Sequence, residues 1–121
     1  MSKKIVVIDD SKSIRELVGM TLENAGFQVD IAMDGQDALR FFDGRDVSLV
    51  ITDLNMPNMD GVSLIKEVRA MESYSTVPIL MLTTESQTGK KEEAKAAGAT
   101  GWIVKPFVTD KLLAVVNKII R

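Results

Sequence analysis

The stretch IVVIDDS at residues 5–11 joins a short apolar segment to a pair of carboxylates. Four consecutive apolar residues, 5–8, are typical of a strand that is buried on both faces of a sheet. Asp9 and Asp10 follow this segment without a gap. The stretch therefore predicts a central strand that places two acidic side chains at the carboxyl end of the strand, at one end of the sheet.

A helical pattern begins immediately after this strand. Apolar residues recur at helical spacing from Ile14 to Ala25, which predicts an amphipathic helix. Ser13 and Glu16 form a capping-box pattern at its start, and Gly26 is placed to end it. A strand followed by a short turn and a helix is the repeating unit of parallel α/β proteins.

Other apolar runs predict four more strands along the chain. Continuous apolar runs indicate strands buried on both faces, whereas an alternating run indicates a strand at the edge of the sheet. The continuous runs are residues 49–51 and 78–82, the alternating run is 27–31, and a brief run at 102–104 suits the opposite edge.

Four further helices are predicted over residues 34–42, 61–71, 86–97 and 109–120. Asp34 and Asp60 are the expected N-caps of the first two. The segment 86–97 has only alanines on its apolar side and contains Gly89, so we expect it to bury little area and to be the most mobile helix. The segment 109–120 has more apolar residues than one buried stripe needs, so we expect part of its surface to contact a partner.

Five strands alternating with five helices predict one parallel sheet with right-handed crossovers and helices on both faces. Central apolar strands and an alternating edge strand fit the order 2-1-3-4-5 of the flavodoxin-like fold. A length of 121 residues suits one domain. We therefore expect a single α/β domain over residues 1–121.

The composition excludes several kinds of site. The sequence contains no Cys and no His, which excludes disulfides, thiol nucleophiles, Cys-based zinc sites and imidazole catalysis. The 15 basic residues oppose 17 acidic ones, for a net charge of −2, so no basic surface favours nucleic acid. The first apolar run is too short for a signal peptide or a membrane span. We expect a cytoplasmic protein that binds neither nucleic acid nor membrane.

Polar and charged residues stand at the carboxyl ends of four predicted strands. These are Asp9 and Asp10 after the first strand, Asp53 after the third, Thr83 after the fourth and Lys105 after the fifth. Ligands of open α/β sheets bind outside these ends, near the point where the strand order reverses. Because the four strands are neighbours in the predicted order, we expect three carboxylates, a hydroxyl and an ammonium to converge.

Clustered carboxylates repel one another unless a cation compensates their charge. Hard oxygen ligands suit Mg²⁺. In such a site an aspartate can act as a nucleophile on phosphorus, while a lysine neutralises charge on the transferring group. Asp53 is the central candidate for the nucleophile because its strand lies between the others.

Each of these residues has a plainer interpretation when it is taken alone. Asp9 and Asp10 could cap a helix, and Asp53 could open a loop. Thr83 could be an ordinary strand-end threonine, and Lys105 could be a solvated lysine in a turn. A functional site is indicated by the convergence of all five residues and not by any one of them.

Four segments resemble the signature segments of bacterial response-regulator receiver domains. They are IVVIDDS at residues 5–11, ITDLNMPNMDG at 51–61, MLTTE at 81–85 and GWIVKPF at 101–107. Their spacing covers the whole chain without an evident insertion. The similarity is closest to the single-domain chemotaxis regulators of this family, in the segment NMPNMDG and in the pairing of Asn55 with Glu85 around the acceptor.

The resemblance implies a phosphoacceptor and a set of metal ligands. Asp53 would accept the phosphoryl group. Asp10 and Asp53 would bind Mg²⁺ directly, Asp9 would act partly through water, and the backbone carbonyl of Asn55 would complete the protein ligands. Asn55 and Glu85 would also tune hydrolysis of the phosphorylated form.

The resemblance also implies a switch. Thr83 and Lys105 would contact the phosphoryl oxygens, with Thr84 disfavoured because strand alternation places it on the opposite face. The family commonly has a cis peptide here, so the bond between Lys105 and Pro106 is a candidate. Trp102 would be the second switch residue, although receivers usually carry Tyr or Phe there and an indole is bulkier.

The function that the resemblance implies is that of a two-component response regulator. A histidine kinase donates the phosphoryl group, Asp53 accepts it, and hydrolysis resets the domain, with or without a phosphatase. The receiver catalyses only its own phosphorylation and dephosphorylation. We expect no attached effector domain, so output would be altered binding to a protein such as a flagellar motor switch protein.

Three alternatives use other chemistry or another output. A phosphorelay intermediate or phosphate sink would hand the phosphoryl group back to a histidine on another protein. A flavodoxin would bind FMN, but it needs a phosphate-binding loop after the first strand, where this chain has two carboxylates that repel phosphate. A metal-dependent phosphatase would use Asp53 but needs a general acid and a substrate pocket, and the sequence indicates neither.

Overall fold

A sheet of five parallel strands runs through the computed structural model, which describes residues 3–84 and 88–120. The strands are β1 Lys4–Ile8, β2 Gln28–Ala32, β3 Leu49–Asp53, β4 Ile79–Thr83 and β5 Gly101–Val104. Their order is β2-β1-β3-β4-β5, and each neighbouring pair is parallel. The predicted flavodoxin-like order is confirmed, and every predicted strand overlaps an observed one.

Helices cover both faces of this sheet. They are α1 Lys12–Asn24, α2 Gly35–Ala38, α3 Gly61–Ala70, α4 Thr88–Ala97 and α5 Thr109–Ile120. Alternate strand residues pack into two separate apolar clusters, one beneath α2, α3 and α4 and the other beneath α1 and α5. Within the described ranges, no helix has both the length and the apolar character that a bilayer span requires.

Central strands are apolar throughout because each of their faces is covered. Val6 and Val50 belong to the cluster beneath α3, whereas Val7 and Ile51 belong to the cluster beneath α1. Successive strand residues point to opposite faces, so a strand covered on both sides has no position for a solvated side chain. This packing accounts for the continuous apolar runs in the sequence.

The first helix begins two residues earlier than its capping-box pattern predicts. Ser11 is the N-cap, and its Oγ accepts a hydrogen bond from the Ile14 N–H at 3.4 Å. Ser13 therefore lies inside α1, and the predicted pairing of Ser13 with Glu16 as a capping box is wrong. The Asp9 carboxylate is the physical reason, because it accepts the Ser11 N–H at 2.9 Å and turns the chain directly after β1.

The end predicted for α1 and the N-caps predicted for α2 and α3 are confirmed. Gly26 follows the end of α1 with φ +98°, a conformation that glycine adopts without steric cost. Asp34 caps α2 by accepting the Asp37 N–H, and Asp60 caps α3 by accepting the Ser63 N–H, both at 2.8 Å. Two of these caps, Asp34 and Asp60, open helices whose first turns lie next to the carboxyl ends of the strands.

Helix α2 is shorter than the segment 34–42 predicts. Its α-helical part ends at Ala38 and continues as a 3₁₀ turn, Leu39–Phe41. Phe41 and Phe42 are both buried in the same apolar cluster. Consecutive residues of a regular α-helix point about 100° apart, so tightening and then ending the helix lets both rings enter the core.

The edge strand β2 is only partly covered on its apolar face. Ile31 is 45% exposed, and Val29 is partly buried. The residue of α1 that lies over them is Gly19, where a Cβ would still be 3.9 Å from Ile31. The missing side chain leaves a shallow groove of about 220 Å³ between α1 and β2, which the alternating pattern did not predict.

Helix α4 is attached to the sheet by little apolar area. Ala94 is its one buried side chain among those that the structure describes. This observation confirms the expectation of weak attachment, whereas the mobility of the helix stays a prediction. The first predicted residues of this helix, 86 and 87, lie outside the described residues.

Helix α5 has the predicted bounds and is attached more firmly. Three of its apolar side chains are buried and three more are partly buried against the same cluster, namely Leu112, Val116 and Ile120, then Leu113, Val115 and Ile119. Most of the expected apolar surplus is therefore used inside the domain. Only the exposed parts of the second group can contact a partner.

Gly61 joins the end of β3 to the start of α3. Its N–H donates to the Leu54 carbonyl oxygen at 2.8 Å. A Cβ at this position would overlap the carbonyl oxygen of Asp53, a backbone atom that cannot swing aside. Only glycine fits here, and the close approach fixes where β3 ends.

Candidate functional site

Strands β1, β3, β4 and β5 end at the same edge of the sheet. β1 and β3 are neighbours, and β4 pairs with β3 so that Leu82 lies opposite Asp53. Asp9 comes directly after β1, while Asp53 and Thr83 are the last residues of β3 and β4. The strand order reverses between β1 and β3, which places this edge at the usual ligand crevice of the fold.

Asp9, Asp10 and Asp53 form one acidic cluster. Each offers a carboxylate oxygen, and these oxygens all lie within 4.8 Å of one another. Asp9 is fully buried and Asp53 is 8% exposed, whereas Asp10 is exposed. The cluster therefore has two fixed inner carboxylates and one outer carboxylate that a ligand can reach from solvent.

Lys105 brings its ammonium group to the inner carboxylates. Its Nζ lies 2.9 Å from Asp9 Oδ2 and 3.4 Å from Asp53 Oδ1. The backbone N–H of Lys105 donates to the Thr83 carbonyl oxygen at 2.6 Å, which extends the pairing of β4 with β5. The following peptide bond, Lys105-Pro106, is cis, as the resemblance implied.

Backbone donors fix both buried carboxylates. The Ser11 N–H donates to Asp9 Oδ1 at 2.9 Å, and the Leu54 N–H donates to Asp53 Oδ1 at 2.8 Å. A hydrogen bond to an ionised acceptor is stronger than one between neutral groups. These bonds hold the two carboxylates at the sheet edge without any further ligand.

Arg15 is a site neighbour that sequence reasoning missed. Its guanidinium donates to the Asp9 carbonyl oxygen at 2.8 Å, so the first turns of α1 hold the backbone of the acidic segment. Arg15 lies six residues after Asp9, and a single arginine on an amphipathic helix has no distinctive pattern. The one sequence feature that could have indicated Arg15 is its position on the face of α1 that packs toward β1.

Burial and charge together raise the pKa of Asp53. Desolvation is the larger cause and the nearby Asp9 carboxylate adds to it, while Lys105 and the Leu54 N–H act in the opposite direction, giving a pKa of about 6. Burial also opposes the charge of Lys105, but the hydrogen bond to Asp9 and the charges of both carboxylates outweigh it and raise the pKa of that ammonium. In the absence of a cation, the ionised form of Asp53 is therefore energetically unfavourable relative to an aspartate in solvent.

Thr83 and Thr84 differ in the way that strand alternation predicts. Thr83 is fully buried at the end of β4, whereas Thr84 is exposed. The Thr83 Oγ1 has no hydrogen-bond partner among the described residues. A buried hydroxyl without a partner costs about 1–3 kcal/mol, so a ligand that offers an acceptor there would recover that energy.

Trp102 lies on β5 with its ring beside α4. The ring is 43% exposed, and the Lys91 Nζ lies 5.8 Å from the ring centroid. Together with Glu92 and Lys95 these residues line a groove of about 270 Å³. The side chain is therefore at the surface and has room to move.

Two residues from the resemblance are less fully described. Asn55 is exposed, two residues after Asp53, and its carbonyl as a metal ligand stays a prediction. Glu85 lies outside the described residues. Of the sequence-predicted site residues, the structure brings Asp9, Asp10, Asp53 and Lys105 together.

The donor set fits a hard divalent cation. Three carboxylates face a single ammonium, so the cluster carries about two uncompensated negative charges. Oxygen ligands with an open, solvent-facing side suit ions such as Mg²⁺, which keep several water ligands. Burial first and the neighbouring Asp9 carboxylate second raise the pKa of Asp53 to about 6, and a cation bound here would favour its ionised form.

The chain belongs to the family described as the response regulator receiver domain. The model of that family matches residues 5–117, nearly the whole chain, and the acidic pocket of Asp9, Asp10 and Asp53 fits its phosphorylation site. The flavin-binding alternative therefore loses its support, because the same strand order here carries the acidic segments of a signalling domain.

Within this family, the chain is similar to chemotaxis regulators. It is 39% identical to the chemotaxis protein CheY-3 of Vibrio cholerae, over 96% of this chain and 90% of that protein. The solved structure of the chemotaxis response regulator CheY4 of Vibrio cholerae matches with a TM-score of 0.92 and 44% identity, over 98% of this chain and 99% of that one. The chain is thus a receiver domain homologous to CheY proteins.

A more distant relative bears on the metal. The receiver domain of the sensor histidine kinase PA1611 from Pseudomonas aeruginosa matches with a TM-score of 0.90 and 27% identity, over 99% of this chain and 98% of that one. Its structure has a magnesium ion coordinated in the active-site cleft. In the present chain, the acidic cluster at the corresponding end of the sheet is able to bind a metal.

We expect Asp53→Asn to stabilise the metal-free protein near neutral pH. The pKa of Asp53 is about 6 in the folded protein against an ordinary 3.8, so stability present at low pH is lost as the pH rises from about 4 through about 6. The shift corresponds to at most about 3 kcal/mol, of which the variant should recover about 2.

Urea unfolding in EDTA measures this effect. At about pH 7 the variant should be more stable than the wild type, and the difference should shrink toward about pH 3, where the wild-type carboxylate is largely protonated in both the folded and the unfolded protein. Equal free energies of unfolding for the two proteins at neutral pH would contradict the raised pKa of Asp53 in the folded protein.

Proposed function

We propose that this protein is a phosphorylatable switch in which Asp53 accepts a phosphoryl group with Mg²⁺ as cofactor. One observation carries the proposal: three carboxylate oxygens converge within 4.8 Å, and the Lys105 ammonium lies against two of those carboxylates. Such a site can hold a divalent cation and a phosphoryl group side by side. Membership of the receiver family supports this assignment.

The metal ligands in this proposal come from two loops. Asp10 and Asp53 bind Mg²⁺ directly, Asp9 acts partly through water, and the Asn55 carbonyl completes the protein ligands. When bound, Mg²⁺ neutralises charge on the transferring phosphoryl oxygens. The magnesium ion in the related receiver domain of PA1611 supports the choice of metal.

Asp53 supplies the nucleophile. One of its carboxylate oxygens attacks phosphorus, the bond from phosphorus to the donor atom breaks, and the leaving group takes up a proton from solvent. Because the pKa of Asp53 is about 6, most of the carboxylate is ionised and nucleophilic at neutral pH even without metal. Water then attacks the phosphorus of the aspartyl-phosphate and releases inorganic phosphate, at a rate tuned by Asn55 and Glu85.

Lys105 and Thr83 would contact the phosphoryl group on Asp53. The Lys105 ammonium already touches the Asp53 carboxylate, so it can neutralise phosphoryl oxygens bound to the same side chain. The Thr83 hydroxyl is buried and, among the described residues, without a partner, so it can donate to a phosphoryl oxygen. Its movement would vacate space into which Trp102 can turn.

The proposed signalling partners are proteins. A histidine kinase donates the phosphoryl group, and the output is altered binding to a protein such as a flagellar motor switch protein, with a phosphatase as a further partner. The similarity to chemotaxis regulators of Vibrio cholerae supports this pathway. We further propose a cytoplasmic location and one receiver domain over residues 1–121.

Acetyl phosphate, a small phosphodonor, tests the proposed chemistry without a kinase. With Mg²⁺ present, the protein should acquire a phosphate that is stable to acid and labile to base, as an acyl phosphate is. EDTA should prevent this labelling. Equal labelling with and without EDTA would contradict the role of the metal.

Thr83→Ala should still be phosphorylated but should switch only in part. Moving a population from about 1:99 to about 99:1 needs roughly 5.5 kcal/mol, and a hydrogen bond to a charged group supplies only about 1.5–3 kcal/mol. Without the hydroxyl, about 40–90% of the phosphorylated protein should remain in the active state. NMR chemical shifts in beryllium fluoride and Mg²⁺ measure this fraction.

Thr83→Ser is the matched control for this experiment. It keeps the hydroxyl and removes only a methyl group, so we expect it to switch nearly as completely as the wild type. If the alanine variant also switches fully, Thr83 is not the coupling residue, and Lys105 with the backbone donors performs the coupling.

Trp102 should report the switch by fluorescence. It is the only tryptophan in the chain, its ring is 43% exposed, and the groove beside it gives it room to turn. Beryllium fluoride with Mg²⁺ should therefore change its emission or its quenching by iodide. Asp53→Asn should show no such change. An unaltered signal in protein shown by NMR to be activated would mean that Trp102 takes no part in switching.

A further inference from the structure

The loop after β3 is joined to the turn after β2 by a partly buried hydrogen bond. Asp34, in the turn, is only 5% exposed, and its Oδ2 accepts a hydrogen bond from the Asn58 Nδ2 at 2.7 Å. Asn58 belongs to the loop between β3 and α3, residues 54–60. It has φ +67°, the left-handed conformation that asparagine tolerates better than most residues.

A second contact joins the same two segments through the backbone. The Gly35 N–H donates to the Met59 carbonyl oxygen at 3.3 Å. A Cβ at position 35 would lie 2.8 Å from that oxygen and 2.8 Å from the Met59 Cγ. The two segments thus approach too closely for a side chain at position 35, and the backbone bond adds to the bond between Asp34 and Asn58.

The loop that these contacts hold is also closed at its base. The Gly61 N–H bonds to the Leu54 carbonyl oxygen at 2.8 Å. The loop starts directly after Asp53 and contains Asn55, whose carbonyl is the proposed metal ligand. Bonds at its base and near its far end therefore leave Asn55 between two fixed points.

The two oxygens of Asp34 have different tasks. Oδ1 caps α2 by accepting the Asp37 N–H at 2.8 Å, and Oδ2 binds Asn58. Asparagine caps helices about as well as aspartate, so the cap alone does not require a carboxylate. Only the bond to Asn58 requires an acceptor at the second position, because the amide of Asn58 donates.

We propose that Asp34 is a positioning residue, which holds the loop 54–60 through Asn58 and thereby fixes the Asn55 carbonyl for metal binding. This inference rests on the proposed magnesium-dependent function. Residues that orient metal ligands from outside the ligand set typically change metal affinity about 10–100-fold when they are mutated. Asp34 lies outside the acidic cluster, so its effect would pass through the loop.

A swap of the two hydrogen-bonding partners tests this directly. Asp34→Ser keeps an N-cap oxygen, but its short side chain offers no acceptor to Asn58, whereas the double variant Asp34→Asn with Asn58→Asp again has one donor facing one acceptor and preserves the net charge. We expect the single variant to bind Mg²⁺ about tenfold more weakly, and the double variant to bind within about threefold of the wild type. Mg²⁺ titrations followed by backbone amide NMR shifts measure these affinities.

Asp60→Asn is the matched control. It also removes one carboxylate from a helix N-cap near the site and keeps its cap to the Ser63 N–H, so it reports the loss of charge alone. We expect its affinity for Mg²⁺ to stay within about threefold of the wild type. Asn58→Gly removes the bond from the other side while keeping the positive φ accessible, and it should match Asp34→Ser even if that variant folds poorly.

The outcomes distinguish a failure of the positioning role of Asp34 from a failure of the proposed magnesium-dependent function. Wild-type protein that fails to bind millimolar Mg²⁺ would overturn both. Wild-type binding with an unchanged Asp34→Ser, or an Asp60→Asn loss as large as that of Asp34→Ser, would overturn the positioning role alone. Failure of the swap to restore affinity would do the same. Weak binding by a single variant whose amide NMR spectrum shows an intact fold, and which the swap restores, would support it.

Discussion

Asp53→Asn protein incubated with acetyl phosphate and Mg²⁺ is expected to acquire no phosphate, whereas the wild type is labelled. The amide lacks the anionic oxygen that attacks phosphorus, and it removes one of the three carboxylates of the acidic cluster. The loss should be complete, because Asp9, the other carboxylate in contact with Lys105, is fully buried and has both oxygens engaged, Oδ2 by Lys105 and Oδ1 by the Ser11 N–H. Intact-mass spectrometry measures the labelled fraction.

Asp46→Asn provides the control for this experiment. Asp46 is an exposed carboxylate in the loop before β3, so replacing it removes the same charge far from the strand ends. We expect labelling equal to the wild type. Undiminished labelling of the Asp53 variant would refute the assignment of the acceptor. Misfolding is not a ready explanation for a loss, because Asn at position 53 is expected to stabilise the metal-free protein.

Lys105→Met is expected to lower the free energy of unfolding of the metal-free protein by about 3 kcal/mol near neutral pH. Asp9 is fully buried, and the Lys105 Nζ lies 2.9 Å from its Oδ2. Removing one partner of a buried ion pair leaves the other charge uncompensated, and here a second carboxylate, Asp53, lies beside it. Urea unfolding in EDTA measures the loss.

The same variant should respond unusually strongly to metal. A divalent cation compensates the carboxylates that Lys105 no longer neutralises, so saturating Mg²⁺ should recover a large part of the lost stability. Lys111→Met, a substitution of an exposed lysine on α5, should change stability by less than about 0.5 kcal/mol. A Lys105 variant as stable as this control would mean that the ion pair contributes nothing to the fold.

The strand order and the residues at the strand ends were predictable because they follow from periodicity. Central strands are covered on both faces, which forces the continuous apolar runs, and in a parallel sheet the residue after each run lies at the same edge. The sequence alone was therefore enough to predict that Asp9, Asp53 and Lys105 lie close together. Asp34 and Asp60 could equally be predicted as N-caps, because an N-cap depends on residues that are close in the chain.

Features that depend on contacts distant in sequence could not be predicted. The bond from Asp34 to Asn58 joins residues 24 positions apart, and nothing in either segment alone indicates it. Arg15 binds a backbone oxygen, which any residue type supplies, so Asp9 gives no signal for that partner. The start of α1 just after Asp10 was predicted, but its capping box was not, because Ser11, held by the Asp9 carboxylate, caps the helix two residues ahead of Ser13.

The incomplete covering of β2 shows a limit of another kind. Alternation predicts which residues share a face, but the exposure of Ile31 depends on what packs over it. The residue above is Gly19, which has no side chain to cover the strand. A glycine within an amphipathic pattern does not reveal which neighbour it leaves exposed.

The most direct test of the central claim is to locate the phosphoryl group on the chain. Borohydride reduces an acyl phosphate and converts the modified aspartate to homoserine, a change that peptide mass spectrometry assigns to one residue. After treatment with acetyl phosphate and Mg²⁺, homoserine is expected at position 53, and only after phosphorylation. Homoserine at another aspartate, or none in protein that carries phosphate, would contradict Asp53 as the phosphoacceptor.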